Sequence, residues 1–264
     1  MMDAHRSTSD RSLRELHRPG TPLIIPNVWD AASARQFERR GFRVLATSSG
    51  AVAAAAGYLD HEGAPVEVML AANDRIVAAV AVPVSVDLEA GYGLEPETIV
   101  EHAASAGYAG INVEDSEHHR NELRAADAQS ARIAGLARNR DAALPGLVLN
   151  ARIDVFLKRG PFEEAVRRGR MYADAGADCI FPIGLSRDSD IARFVEESGA
   201  PVNILARSGV SSPERLAELG VARITFGSIP YRLAVAEAEA AVRRYLAGDS
   251  SHLDPTLGSP IVGA

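Results

Sequence analysis

Two periods of apolar residues alternate along this chain. Short, β-branched apolar runs recur at 23–26, 44–47, 84–87, 110–113, 147–150, 179–181, 202–204 and 223–226. Each is apolar on both faces and too short for a helix, so each reads as a buried strand. Between them apolar residues return every three or four positions, at 31–40, 66–80, 96–106, about 128–138, 161–175, 188–198, 213–219 and 231–246. That spacing predicts amphipathic helices. A punctuation repeats where helix gives way to strand: Arg40-Gly41-Phe42, Ala106-Gly107-Tyr108, Ala175-Gly176-Ala177 and Leu219-Gly220-Val221. Glycine stops each helix there. Asp30 is placed to cap the first helix, and Pro96 suits the first turn of the third.

Eight strands alternating with eight helices predict a parallel sheet, and eight such units fit a (β/α)8 TIM barrel of the α/β class. The rival is a doubly wound sheet, but no Gly-x-Gly-x-x-Gly follows the first strand and there is no P-loop. No linker interrupts the pattern, so a single domain is expected. Residues 1–20 read as an N-terminal lead-in, 21–247 as the barrel, and 248–264 as a flexible tail rich in Ser, Pro and Gly.

Composition removes several classes of function. With 264 residues, 47% of them apolar, the chain can bury a large core. Its net charge of −7 comes from intermixed acids and bases, which suits neither DNA nor RNA. The single Cys179 excludes an internal disulfide framework and a cysteine-cluster zinc site. It reads as a buried strand residue in a protein of the reducing cytoplasm. The polar N-terminus has no signal-peptide core, and no apolar run approaches the roughly 20 residues that span a bilayer.

A barrel places its site at the C-terminal ends of its strands. Acids concentrate there on the third and fourth strands: Asp87 and Glu89, then Glu114 and Asp115. Oxygen ligands without His or Cys suit a hard cation, Mg²⁺ or Mn²⁺. Asp87 is the expected inner ligand, with Glu89 and Glu114 holding its waters. The plainer alternative has Asp87 and Asp115 capping the following helices. For Asp87 and Glu89 it is the weaker reading, because clustered acids repel unless a cation compensates.

The same mouth receives Trp29, Thr47, Ser48, Ser49, Gly50, Arg152 and Asn203 as candidate substrate contacts, and Asp60 from the second loop. Arg152 either pairs with Asp154 or Glu114, or forks onto a substrate carboxylate or phosphonate. Ser48-Ser49-Gly50 is either a backbone cradle for an anion or a tight turn chosen for packing. His118 and His119 sit in a polar loop, where solvation competes with an acid/base role.

Several motifs together resemble the isocitrate lyase/phosphoenolpyruvate mutase superfamily. They are Pro83-Val-Ser-Val-Asp87-Leu-Glu89-Ala-Gly91-Tyr-Gly93, Gly110-Ile-Asn-Val-Glu114-Asp115 and Asn150-Ala-Arg152-Ile-Asp154. Pro26-Asn27-Val-Trp29-Asp30, Thr47-Ser48-Ser49-Gly50, Gly57-Tyr-Leu-Asp60 and Ala175-Gly-Ala-Asp178-Cys-Ile-Phe181-Pro182 keep the same order. The resemblance implies a barrel whose eighth helix swaps between subunits, in a dimer of dimers. It implies Mg²⁺ on Asp87, with Glu89 and Glu114 acting through water. It further implies a small carboxylate substrate and an enolate stabilised by the metal.

The loop after strand four departs from the family pattern. It reads Ser116-Glu-His-His-Arg-Asn-Glu-Leu-Arg124, without the Lys-x-Cys-Gly-His of the lyases or the Lys-Thr-Asn of the mutases. Asn121 is the candidate to stand in for the mutase asparagine. Arg152, Glu114, Asp60, Asn121 and His118 are therefore the candidate catalytic residues. The expected function is Mg²⁺-dependent C–C cleavage of a small 2-oxo or 2-hydroxy carboxylate. The alternatives are P–C mutase or hydrolase chemistry on a phosphonate such as phosphonopyruvate, and a keto-acid-binding barrel with little turnover.

Overall fold

The computed structural model describes residues 12–251 and 253. Its strands form one ring. Strand β1 runs Leu23–Ile25 and resumes past Pro26 as Asn27–Val28. Proline has no N–H for the ladder, so the strand breaks there, while the Pro26 carbonyl still accepts from Ala46 N–H at 3.0 Å. Then come β2 (Leu45–Thr47), β3 (Val84–Asp87), β4 (Gly110–Glu114), β5 (Val148–Ile153), β6 (Cys179–Pro182), β7 (Asn203–Leu205) and β8 (Arg223–Thr225).

All neighbouring pairs are parallel. The second half of β1 begins a run that continues through β2, β3, β4 and β5 to β6. The first half of β1 pairs with β8, and β8 with β7. A single bridge, Ile180 to Val202, joins β6 to β7 and closes the barrel. The expected fold is therefore present.

The helices are α1 (Ala31–Arg39), α2 (Ser49–Ala55), α3 (Val66–Ala78), α4 (Pro96–Ala106), α5 (Ala126–Ala143), α6 (Phe162–Asp174), α7 (Asp188–Ser198), α8 (Pro213–Glu218) and α9 (Ile229–Leu246). Asp30 caps α1 as expected, accepting from Ser33 N–H at 2.7 Å. Gly107 ends α4 at φ 78°, a left-handed conformation that favours glycine.

Two segments depart from the sequence reading. Ser48-Ser49-Gly50 is no tight turn but the start of α2, because the alanines that follow are strong helix formers and Ala51, Val52 and Ala53 are buried. The polar loop 116–127 is structured too. Ser116–Glu117 pairs antiparallel with Glu122–Leu123 around a 3-10 turn at His118–Arg120.

The far end of the barrel is plugged. A 3-10 turn, Leu13–Leu16, packs Leu13 beneath Ile25, Val44, Ala46 and Val148. Arg14 holds Asp178 at 2.6 Å, and Arg140 holds the same carboxylate at 2.9 Å. The lead-in is thus docked from Leu13 onward; residues 1–11 and most of the expected flexible tail lie outside the described residues. Helix α9 buries none of its residues and exposes Leu233, Val235, Val242, Tyr245 and Leu246. Among the described residues no helix is long and apolar enough to cross a membrane.

Candidate active site

A cavity of about 280 Å³ opens at the C-terminal end of the strands. Thr47, Ser48, Ser49, Gly50, Asp60, Asp87, Arg152 and Asn203 all line it, so one mouth gathers most of the candidates. Its size suits a small acid.

Asp87 ends β3 and is half-buried. One carboxylate oxygen accepts from Ser49 N–H at 3.1 Å and Ser49 Oγ at 2.9 Å. The other accepts from Asn112 Nδ2 at 2.8 Å, and Asn150 Nδ2 in turn donates to Asn112 Oδ1 at 2.8 Å. Thr47 Oγ1 accepts the Asp87 N–H at 2.9 Å. No basic side chain forms an ion pair with Asp87 among the described residues. Asn150 Oδ1 is buried with no donor among those residues. One cavity-facing carboxylate held by N–H and O–H donors, with the unpartnered Asn150 Oδ1 lining the same cavity, is an oxygen set that fits a hard cation. No group of three His, Cys, Asp or Glu side chains poised to hold a metal is present among the described residues. The fit is therefore to a cation with one inner carboxylate.

Glu89 and Glu114 have different partners. Glu89 sits at φ 50°, and its carboxylate accepts from Glu62 N–H at 2.5 Å and from the Tyr92 hydroxyl. Burial pushes Glu89 up to about 7; the Tyr92 bond opposes this and Asp87 reinforces it. Glu114 is 1% exposed. It lies 2.5 Å from Arg152 Nη1 and 2.5 Å from His118 Nε2. Burial raises it well above the usual carboxylate range, against the pull of Arg152.

Arg152 makes the ion pairs of the plainer reading and also faces the cavity. It lines the cavity, and it is gripped by Asp154 through Nε at 2.6 Å and Nη2 at 3.1 Å. Burial works against its charge, but Glu114 and Asp154 raise it overall. Asp154 also accepts from Ser116 Oγ at 2.6 Å.

Other candidates fall elsewhere. Asp115 caps no helix: it accepts from Asp154 N–H, Arg168 Nη1 and Tyr172 OH at 2.8, 3.0 and 2.9 Å. Trp29 is outside the cavity lining; its ring meets Tyr231 edge-on at 5.6 Å. His118 is not solvated as a polar loop suggests, because the hairpin folds it onto Glu114 and against the His61 ring at 4.8 Å. It lines an adjoining pocket with Asn121, Ser116, Asp154 and Lys158. Asn121 accepts there from Lys158 Nζ at 2.5 Å.

Asn150 and Ser228 are at the strand ends as the sequence suggests; what sequence reasoning missed is Asn112 bonded to Asn150, the 2.9 Å contact of Ser228 with Ser48 Oγ, and the close approach at Gly50. A Cβ on Gly50 would lie 2.4 Å from Asp60 Oδ2. Asn112 is two residues before Glu114 on β4 and Asn150 two before Arg152 on β5, a period-two signal that was available.

The chain belongs to the isocitrate lyase/phosphoenolpyruvate mutase superfamily: the family model described as phosphoenolpyruvate phosphomutase matches residues 13–246. A phosphoenolpyruvate phosphomutase of Streptomyces hygroscopicus is 30% identical over 88% of this chain and 78% of its own length. A crystal structure from Burkholderia cenocepacia J2315 superposes with TM-score 0.82 at 42% identity, covering 87% of this chain and 97% of that one. The crystal structure of 2,3-dimethylmalate lyase superposes with TM-score 0.81 at 26% identity, covering 93% and 86%.

The raised carboxyl of Glu89 has a measurable consequence. Its ionised form is disfavoured in the folded chain, so it lowers stability increasingly from its ordinary 4.5 up to about 7. At about 1.4 kcal/mol per pH unit this amounts to ~3 kcal/mol lost by pH 8 and absent at low pH. In EDTA, Glu89→Gln should therefore flatten the fall in melting temperature between pH 5 and pH 8. An equally steep fall in the variant contradicts the assignment.

Proposed function

We propose that this chain is a Mg²⁺-dependent lyase that cleaves a C–C bond in a small 2-oxo or 2-hydroxy carboxylate. The observation that carries this reading is Asp87, a cavity-facing carboxylate with amide and hydroxyl donors and no cationic partner among the described residues. Asp87 is the residue to hold the ion, with Glu89 and Glu114 placed to hold its waters. A divalent ion held there would polarise the 2-oxo and carboxylate oxygens of the substrate.

The chain's own groups do the rest. Arg152, clamped by Asp154 and Glu114, presents a fixed guanidinium to a substrate oxyanion. Ser48 and Ser228 share one hydrogen bond at 2.9 Å, which leaves one hydroxyl proton of the pair for the carboxylate end, while the Ser49 hydroxyl stays on Asp87. Asp60 lines the cavity beside Gly50 and takes the 2-hydroxyl proton of a 2-hydroxy acid, or of a 2-oxo acid hydrated at its carbonyl, as the C–C bond opens. The electron pair of that bond stays on the departing carbon, conjugated with its neighbouring carbonyl. His61, at the same rim and beside the His118 ring, is the group we assign to deliver a proton to that carbon. Similarity to 2,3-dimethylmalate lyase supports this reading.

A second reading, P–C chemistry on a phosphonate such as phosphonopyruvate, is supported by the 30% identity to the Streptomyces hygroscopicus phosphomutase. With Mg²⁺, 2-methylmalate-type acids and isocitrate should release a keto acid, followed by coupled reduction, and oxaloacetate should release oxalate and acetate. Asp87→Ala should lower kcat/KM by ~10³-fold. Turnover of phosphonopyruvate alone transfers the assignment to the second reading. Oxalate binding without turnover of any compound contradicts both and leaves a keto-acid-binding barrel.

We also propose that α9 crosses onto the barrel of a second copy, within a dimer of dimers. Its exposed apolar residues support this, because a helix of this length is not stable by propensity alone. Light scattering should give a mass of four chains, and Leu233→Glu with Val242→Glu should lower it. A monomeric wild type at micromolar concentration rules the exchange out.

A further inference from the structure

The cavity floor carries a cation that the proposed chemistry does not use. Arg223 opens β8 and is 2% exposed. Its side chain crosses the barrel interior, with Nη2 donating to Ser85 Oγ on β3 at 3.3 Å. Its Nε and Nη1 have no hydrogen-bond partner among the described residues. Asn203 stands beside it on β7 at the same register, and its buried Nδ2 likewise has no acceptor there. The Asn203 oxygen is engaged, accepting from Thr225 Oγ1 at 3.2 Å.

No carboxylate forms an ion pair with Arg223 among the described residues. The acidic groups that act on it are Cys179 and, more weakly, Asp87. Burial pushes the Cys179 thiol up to about 12, so it is neutral at physiological pH. A guanidinium keeps its proton even when buried, and a buried charge without a counter-charge is costly. Arg223, Asn203 and Ser85 all line the main cavity, which opens at the mouth. Leu13 closes the barrel beneath them, with its Cδ2 3.2 Å from the Cβ position of Gly110.

We propose that the barrel floor is an anion-binding subsite, in which Arg223 Nε and Nη1, Asn203 Nδ2 and the Ser85 hydroxyl hold one compact monovalent anion. The chemistry suits a halide or a single carboxylate group. The carboxylate source is the far end of a dicarboxylate in the cavity; the halide source is solution. The subsite requires neither a metal nor lyase activity, so its failure and the failure of the proposed function are distinguishable.

Bromide tests this on the whole protein. Crystals grown in sodium bromide should show an anomalous peak about 3.5 Å from the Arg223 nitrogens. Melting temperature should rise saturably by ~3 °C in sodium bromide over sodium gluconate of equal ionic strength. Arg223→Met should lose that rise, and Arg223→Lys should keep part of it. If Arg223→Met fails to fold, the wild-type measurements decide. Competition between malonate and bromide assigns the subsite to a substrate carboxylate, and additive stabilisation assigns it to a resident halide. Bromide peaks confined to the surface, or identical melting in the two salts, overturn the proposal.

Discussion

Two carboxylates held out of water beside a third constrain the whole mouth of the barrel. Glu89 and Glu114 are buried near Asp87: Glu89 accepts two hydrogen bonds, whereas Glu114 rests on close contacts with Arg152 and His118, its Oε2 having no hydrogen bond among the described residues. The groups that meet the two acids come from separate segments: Glu62 after β2, Tyr92 after β3, His118 after β4 and Arg152 on β5. Satisfying the acids therefore ties the loops together. The Glu62 carboxylate also accepts the Tyr92 N–H at 2.6 Å, which closes a reciprocal clasp between two loops. His61, Glu62, Glu89 and Tyr92 all have positive φ, a conformation that costs non-glycine residues about 1 kcal/mol or more each. The clasp offsets that strain.

The charge balance follows from the same constraint. Arg152 is one cation shared between Glu114 and Asp154, and the acids Asp87 and Asp60, without an ion pair among the described residues, line the same mouth. An anionic substrate entering this mouth meets repulsion unless a cation accompanies it. At the floor the sign reverses, because Arg223 is buried without an ion pair among the described residues. Opposite charges at two depths favour a ligand with polarity along the barrel axis.

The barrel was legible in the sequence because its signals are local. Apolar runs, amphipathic spacing and glycine stops each act within a few residues of one another, and Asp30 and Gly107 behave as their types require. What sequence reading missed is non-local. Asp115 meets Arg168 and Tyr172, 53 and 57 positions away, so only tertiary packing separates a helix cap from a buried anchor. His118 leaves solvent because a two-residue hairpin folds it onto Glu114. Trp29 sits near the right strand end but turns toward Tyr231 on α9. Arg223 looks like an ordinary strand-edge base until the strands close into a ring around it.

The account's central claim is that Asp87 anchors a divalent cation. Its most direct test is Mn²⁺ binding, followed by electron paramagnetic resonance in the presence of oxalate. Wild-type protein should bind one Mn²⁺ per chain, and Asp87→Asn should weaken binding by ~100-fold with the fold intact by circular dichroism. Equal binding by both proteins, or none by the wild type, would contradict the account.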